Sequence, residues 1–157
     1  MELRPLRRED AEALFAVASD PLIWEQHPAN DRYKPEVFAE FFREALASQG
    51  AFVVLDRKDG KIIGSSRFHG YHPQANEVEI GWTFLARSHW GGQYNREMKQ
   101  LMVRHALQFV DRVIFLIGLQ NLRSQKAVEK LGAVRIGIRP DAAGRESYVY
   151  ALTSMPE

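Results

Sequence analysis

Apolar and polar positions along the chain follow two different periods. A short strand candidate, Met1 to Leu6, leads into Ala13, Leu14, Val17 and Ala18 at helical spacing, and Pro21 stops that pattern. Pro35 to Ser48 repeats the helical period through Phe38, Phe41, Phe42, Ala45 and Leu46, with Pro35 in the first turn and Gly50 just beyond the end. Between the two lies an aromatic and polar loop, Leu22 to Lys34, holding Trp24, His27 and Tyr33.

Three strand-like runs follow: Ala51 to Asp56, Lys61 to Tyr71 and Glu77 to Leu85. Asp59-Gly60 and the stretch His72 to Asn76 join them as an antiparallel meander. In the third run, period-two alternation sets Glu77, Glu79, Gly81 and Thr83 on one face and Val78, Ile80 and Trp82 on the other. One face is apolar and the other carries carboxylates. Arg96 to Phe109 then has helical spacing, and Arg112 to Leu119 is a mostly apolar strand suited to burial on both faces. Strand, loop, helix and strand in that order make a βαβ crossover with parallel strands. Asn121 to Leu131 is a last helix closed by Gly132, and Ala133 to Ile138 and Glu146 to Leu152 are two final strands about an Asp141 to Arg145 turn. The expected fold class is α/β of mixed sheet: one domain spanning residues 1–157, about seven strands and four helices, mostly antiparallel with one parallel pair.

A chain of 157 residues, 45% hydrophobic and 26% charged, has the composition of one compact domain. The net charge of +1 leaves no electrostatic footprint for nucleic acid. With no cysteine, the chain has no disulfide framework, thiolate metal site or cysteine acyl intermediate. The charged opening MELRPLRRED and the lack of a long apolar run point to a cytoplasmic protein off the membrane. His27, His69, His72, His89 and His105 are dispersed without the spacing of a zinc helix, so no metal is expected.

Candidate chemistry concentrates in Arg87-Ser88-His89-Trp90-Gly91-Gly92-Gln93-Tyr94-Asn95, between a strand and a helix N-terminus. Free N–H groups and the positive end of the dipole make such a place an anion site, and glycines let a phosphate approach the backbone. Arg87 or Arg96 can add charge-assisted bonds. Gly-Gly alone also serves a tight turn, and neither the P-loop nor the dinucleotide G-x-G-x-x-G pattern is present.

Downstream, Asn121-Leu-Arg-Ser124-Gln-Lys-Ala127-Val-Glu-Lys130-Leu-Gly132 follows the buried strand. Together with Trp90-Gly91 followed by Tyr94 and Glu97, this run resembles the GNAT superfamily of N-acetyltransferases, and within it the branch of the ribosomal-protein N-terminal acetyltransferases. The resemblance covers nearly the whole chain. It implies a GNAT-like fold and transfer of the acetyl group of acetyl-coenzyme A to a primary amine, on a protein N-terminus or a small molecule, by direct attack. A non-catalytic module of the same fold that holds coenzyme A or an acyl-CoA is the alternative. By the same resemblance Thr83, Phe84, Leu85, Arg87, Trp90, Gly91, Gly92, Gln93, Tyr94, Asn95, Arg96, Asn121 and Ser124 would bind the cofactor. Glu79 would accept the amine proton and Ser124 would stand near the sulfur; Trp24, Tyr33, Phe68 and Tyr71 would line the acceptor site. A backbone N–H between Thr83 and Leu85, at a bulge, would polarise the acetyl carbonyl. Three positions depart from the family loop: Trp90 stands for Gln or Arg, Gln93 for the first glycine and Asn95 for the last small residue. Val128 occupies the place of the tyrosine that protonates the thiolate in many members. On the residues alone, Glu77 and Glu79 read equally as a solvated sheet face, Glu77 the more so. Homodimers are common in the family, and the sequence leaves the oligomeric state open.

Overall fold

The computed structural model describes residues 1–27 and 29–155. Seven strands form one mixed sheet: β1 (Glu2–Pro5), β2 (Ala51–Leu55), β3 (Ile62–His72), β4 (Glu77–Leu85), β5 (Arg112–Gly118), β6 (Val134–Pro140) and β7 (Glu146–Leu152), in the order β1-β2-β3-β4-β5-β7-β6. Among the described residues there are four α-helices: α1 (Ala11–Ala18), α2 (Pro35–Ser48), α3 (Tyr94–Ala106) and α4 (Leu122–Lys130). β4 and β5 are the parallel pair. The chain divides into two compact units, Met1–Arg67 with Trp82–Asn95, and Phe68–Gly81 with Arg96–Glu157.

In the first unit, α2 starts on Pro35, whose missing N–H costs nothing at a helix start, and ends with Gln49 in the left-handed region (φ 58). Phe38, Phe41 and Phe42 on its buried face pack with Leu14, Trp24, Val53 and Phe84 into one apolar cluster. Trp24 is wholly buried, with its indole N–H donating to the Ala18 carbonyl (2.8 Å) and its ring 5.0 Å from Phe84. That is a core side chain, not the acceptor-site wall expected of it. At the entry to α1, Arg4 binds the buried Asp10 carboxylate in a two-point fork at 2.8 Å, and Asp10 also accepts the Arg7 N–H. The Arg4 guanidinium, acting against the cost of burial, holds the Asp10 carboxyl below the ordinary range.

In the second unit, β4 and β5 register as Glu77↔Arg112, Val78↔Val113 and Glu79↔Ile114, and β7 lies antiparallel to β5 from Val113 to Gly118. α4 ends on Gly132 (φ +100), with the Ala133 N–H returning to the Val128 carbonyl. Glu77 overturns its expected place on a solvated face. It is 4% exposed, accepts Arg112 Nε at 3.1 Å and Nη2 at 2.6 Å through Oε1, and accepts Arg139 Nη1 at 3.0 Å through Oε2. Burial alone would raise its pKa, but the guanidinium groups of Arg139 and Arg112 outweigh that and hold the carboxyl below its usual value. No helix among the described residues is long and apolar enough to cross a membrane.

Candidate active site

β4 runs from Glu77 to Leu85 and is irregular at one residue within it. Trp82 takes φ 52, a left-handed conformation that is costly for a bulky side chain and marks a local constraint. The irregularity falls one residue before the Thr83 to Leu85 stretch in which the family resemblance implied a bulge. It also ends the simple alternation, since Phe84 and Leu85 are both buried. Arg67 lies over the Trp82 ring at 4.2 Å, and the Ser66 and Thr83 hydroxyls hydrogen-bond at 2.9 Å.

The chain leaves β4 through a 3-10 turn at Arg87–His89 and reaches the first residue of α3 at Tyr94. Two side chains anchor this passage. The Trp90 indole N–H donates to the Leu85 carbonyl at 2.9 Å. The His89 ring joins Asp56 (Nε2 to Oδ2, 3.0 Å) and Ser88 (Nδ1 to Oγ, 2.8 Å) and meets Tyr94 edge-on at 4.6 Å. Asp56, held below its usual pKa by the Lys58 N–H and then by His89, therefore ties the passage to the end of β2.

Between these anchors, Gly91, Gly92 and Gln93 are exposed. Gly91 has φ +73, which an L side chain rarely adopts, and a Cβ added at either glycine would meet nothing within 4 Å. The first-turn N–H groups of α3 have no partner within the helix, so open backbone stands beside the positive end of the dipole. This is space and polarity that fit a diphosphate. Arg96 is exposed at the same turn, whereas Arg87 is engaged by Asp20 (Nε to Oδ2, 2.5 Å) and lines a cleft of about 1060 Å³ with Arg4, Val17 and Lys61.

Of the other expected site residues, all but Tyr33 and the buried Trp24 belong to the second unit. Asn121 is the N-cap of α4, its Oδ1 accepting the Ser124 N–H at 3.4 Å, so the structure joins these two as one feature. Ser124 is half-buried, and its hydroxyl has no hydrogen bond among the described residues. Val128 is fully buried, so no proton donor replaces tyrosine there. Glu79 and Phe68 are half-buried, the latter 6.2 Å from the His105 ring; Tyr71 is 55% exposed. Tyr33, in the first unit, packs against the apolar cluster. No group of three or more metal-ligating side chains occurs among the described residues.

The His89–Asp56 anchor and the Glu77 clamp were invisible to sequence reasoning, because their partners lie 33, 35 and 62 residues away with no shared motif. Trp82 carried no signal either, since tryptophan does not announce a left-handed residue.

A mixed sheet of this strand order, with a glycine loop opening onto the helix after β4, defines an acetyltransferase-type fold. The chain belongs to the GNAT acetyltransferases: the family model described as acetyltransferase (GNAT) domain matches residues 1–134. A protein of T. thermophilus assigned to the acetyltransferases is similar at 29% identity, with TM-score 0.76 over 96% of this chain and 84% of that one. A GNAT-family acetyltransferase of Bacillus anthracis is 22% identical (TM-score 0.77; 96% and 93% covered). RimJ of Mycobacterium smegmatis, solved in complex with CoA-disulfide, is 20% identical (TM-score 0.73; 97% and 81% covered) and shares the fold. No curated protein matches the chain.

Proposed function

We propose that the protein transfers the acetyl group of acetyl-CoA to a primary amine by direct attack, as a single domain without a covalent enzyme intermediate. The observation that carries this reading is the open Gly91-Gly92 backbone at the N-terminus of α3. Acetyl-CoA, when bound, supplies a thioester carbonyl that a neutral amine attacks.

The loop from Trp90 to Asn95 holds the diphosphate through backbone N–H groups, with Arg96 adding charge. Gln93, which replaces a glycine of the family loop, is exposed and leaves the backbone around Gly91 and Gly92 open. Thr83, Phe84 and Leu85 act through their backbone, since Phe84 and Leu85 bury their side chains. Glu79 takes the proton that the amine must lose. A lysine-type amine has a pKa of ~10.4 and an α-amine ~7.7–8.0, so an α-amine asks less of this base. Asn121 orients the first turn of α4, and the Ser124 hydroxyl donates to the departing sulfur. Tyr33, Phe68 and Tyr71 contribute to the acceptor side; Trp24 does not.

Gly92 offers a clean test, because its φ is not left-handed and a side chain there meets open space. Calorimetric titration with acetyl-CoA should give micromolar or tighter binding to the parent. Gly92→Glu, which puts a carboxylate against the diphosphate, should weaken it at least tenfold with an unchanged melting temperature. Absence of binding to the parent protein would refute the cofactor assignment.

A further inference from the structure

Glycine inside a strand is destabilising relative to alanine, so its presence needs a reason. At Gly64 the reason is backbone: a Cβ would stand 2.2 Å from the Phe84 carbonyl oxygen. At Gly81 it is not. Gly81 is absent from the left-handed positions of the chain, while its neighbour Trp82, which does adopt a left-handed φ, is not glycine. What fills the space above Gly81 is a functional group. A Cβ there would lie 3.1 Å from Oε2 of Glu79 and 3.9 Å from its Cδ, and among the described residues no other heavy atom outside its chain neighbours lies within 4 Å.

Upstream, the strand that carries Glu79 is pinned. Glu77 is held by Arg112 and Arg139, and Glu79 is in parallel register with Ile114. The backbone of Glu79 is thus fixed by its ladder, and its carboxylate lies along the strand toward the side chain that Gly81 lacks.

We propose that Gly81 is the positioning residue for the Glu79 carboxylate: its missing side chain keeps open the slot in which that carboxylate lies. The role rests on the reading of Glu79 as proton acceptor. A methyl group at 3.1 Å is a few tenths of an ångström too close, so Gly81→Ala nudges the carboxylate, and Gly81→Val evicts it. Both substitutions suit a strand, valine best. Misplacement on the order of 1 Å is enough to cost about 100-fold in rate.

Carboxyl carbon NMR of the protein without ligands reads the slot directly, with the Glu79 resonance assigned by its loss in Glu79→Gln. Gly81→Ala and Gly81→Val should shift the Glu79 resonance and its titration midpoint in that order, and leave Glu77 in place. Identical Glu79 titrations in the parent and both variants would overturn the proposal. Kinetically, Gly81→Val should lower kcat about 100-fold and Gly81→Ala up to tenfold, with KM for acetyl-CoA within twofold, and neither should lower kcat further in a Glu79→Gln background. Equal losses in both backgrounds would overturn the role of Gly81 while Glu79 stands. Parent-like kcat in Glu79→Gln alone would instead remove the base assignment beneath it.

Discussion

Lys99 shows how burial changes the chemistry of a single residue. It lies on α3 among Met98, Met102, Val103 and Ala106, is 6% exposed, and burial pushes its amine down to about 8. A base whose folded pKa is lowered binds its proton less readily when folded. Between about pH 8 and its ordinary 10.5 the unfolded chain therefore holds the extra proton, and stability rises with pH across that window. Below about pH 8 the penalty is constant. Lys99→Met, which keeps the length and removes the titrating amine, should abolish this rise in stability between about pH 8 and 10.5, as measured by urea denaturation across that range. A rise that persists in the variant would assign the titration to another group. Residue-scale chemistry was the least legible part of the sequence. The alternation of Glu77-Val78-Glu79-Ile80 put both carboxylates on one face, yet could not tell that Glu77 would be sealed under two arginines and Glu79 left half-buried.

Among the elements, α2, β4 and β7 begin and end where the sequence placed them, at Pro35 and Ser48, Glu77 and Leu85, and Glu146 and Leu152. Each has unambiguous punctuation: a first-turn proline, the end of a turn, or a switch from polar loop to alternating apolar residues. α3 was harder, starting at Tyr94 and ending at Ala106 where the apolar spacing alone suggested Arg96 to Phe109. Its helical period cannot distinguish Leu107 to Val110, a turn beyond the helix, from another helical turn. The Glu77 clamp is an element-scale device, since it ties the starts of β4 and β5 to the end of β6. Glu77→Gln leaves two guanidinium groups facing a neutral amide. With Arg112 and Arg139 side chains 36% and 45% exposed, the cost should fall to about 1–3 kcal/mol, below the figure for a fully buried pair. Because the folded carboxyl has the lower pKa, its contribution is complete above the ordinary Glu value and disappears as pH falls through the folded one. Stability curves of parent and Glu77→Gln should therefore converge as pH falls from the ordinary Glu value of 4.5 through the lower folded one; a gap that persists after the carboxyl is protonated would assign the effect to packing.

For the whole molecule, the order of strands and helices was readable because periodicity and the βαβ connection leave few topologies open. The seven-strand mixed sheet and the family follow from that order and from the Trp90-Gly91 and Asn121 to Gly132 motifs. The acceptor site was not readable, because aromatic residues in a loop look alike whether they face a ligand or the core, as Trp24 demonstrates. The most direct measurement follows release of free thiol from acetyl-CoA by the parent protein with peptide α-amines, a polyamine, an aminoglycoside and free amino acids as acceptors. Acetyl transfer to an amine predicts that at least one primary amine speeds thiol release well above the rate with protein and acetyl-CoA alone, with acetylated amine formed in equal amount. Thioester loss at the uncatalysed rate across the whole panel, in a protein that binds acetyl-CoA, would contradict it and leave a coenzyme A-binding module in its place.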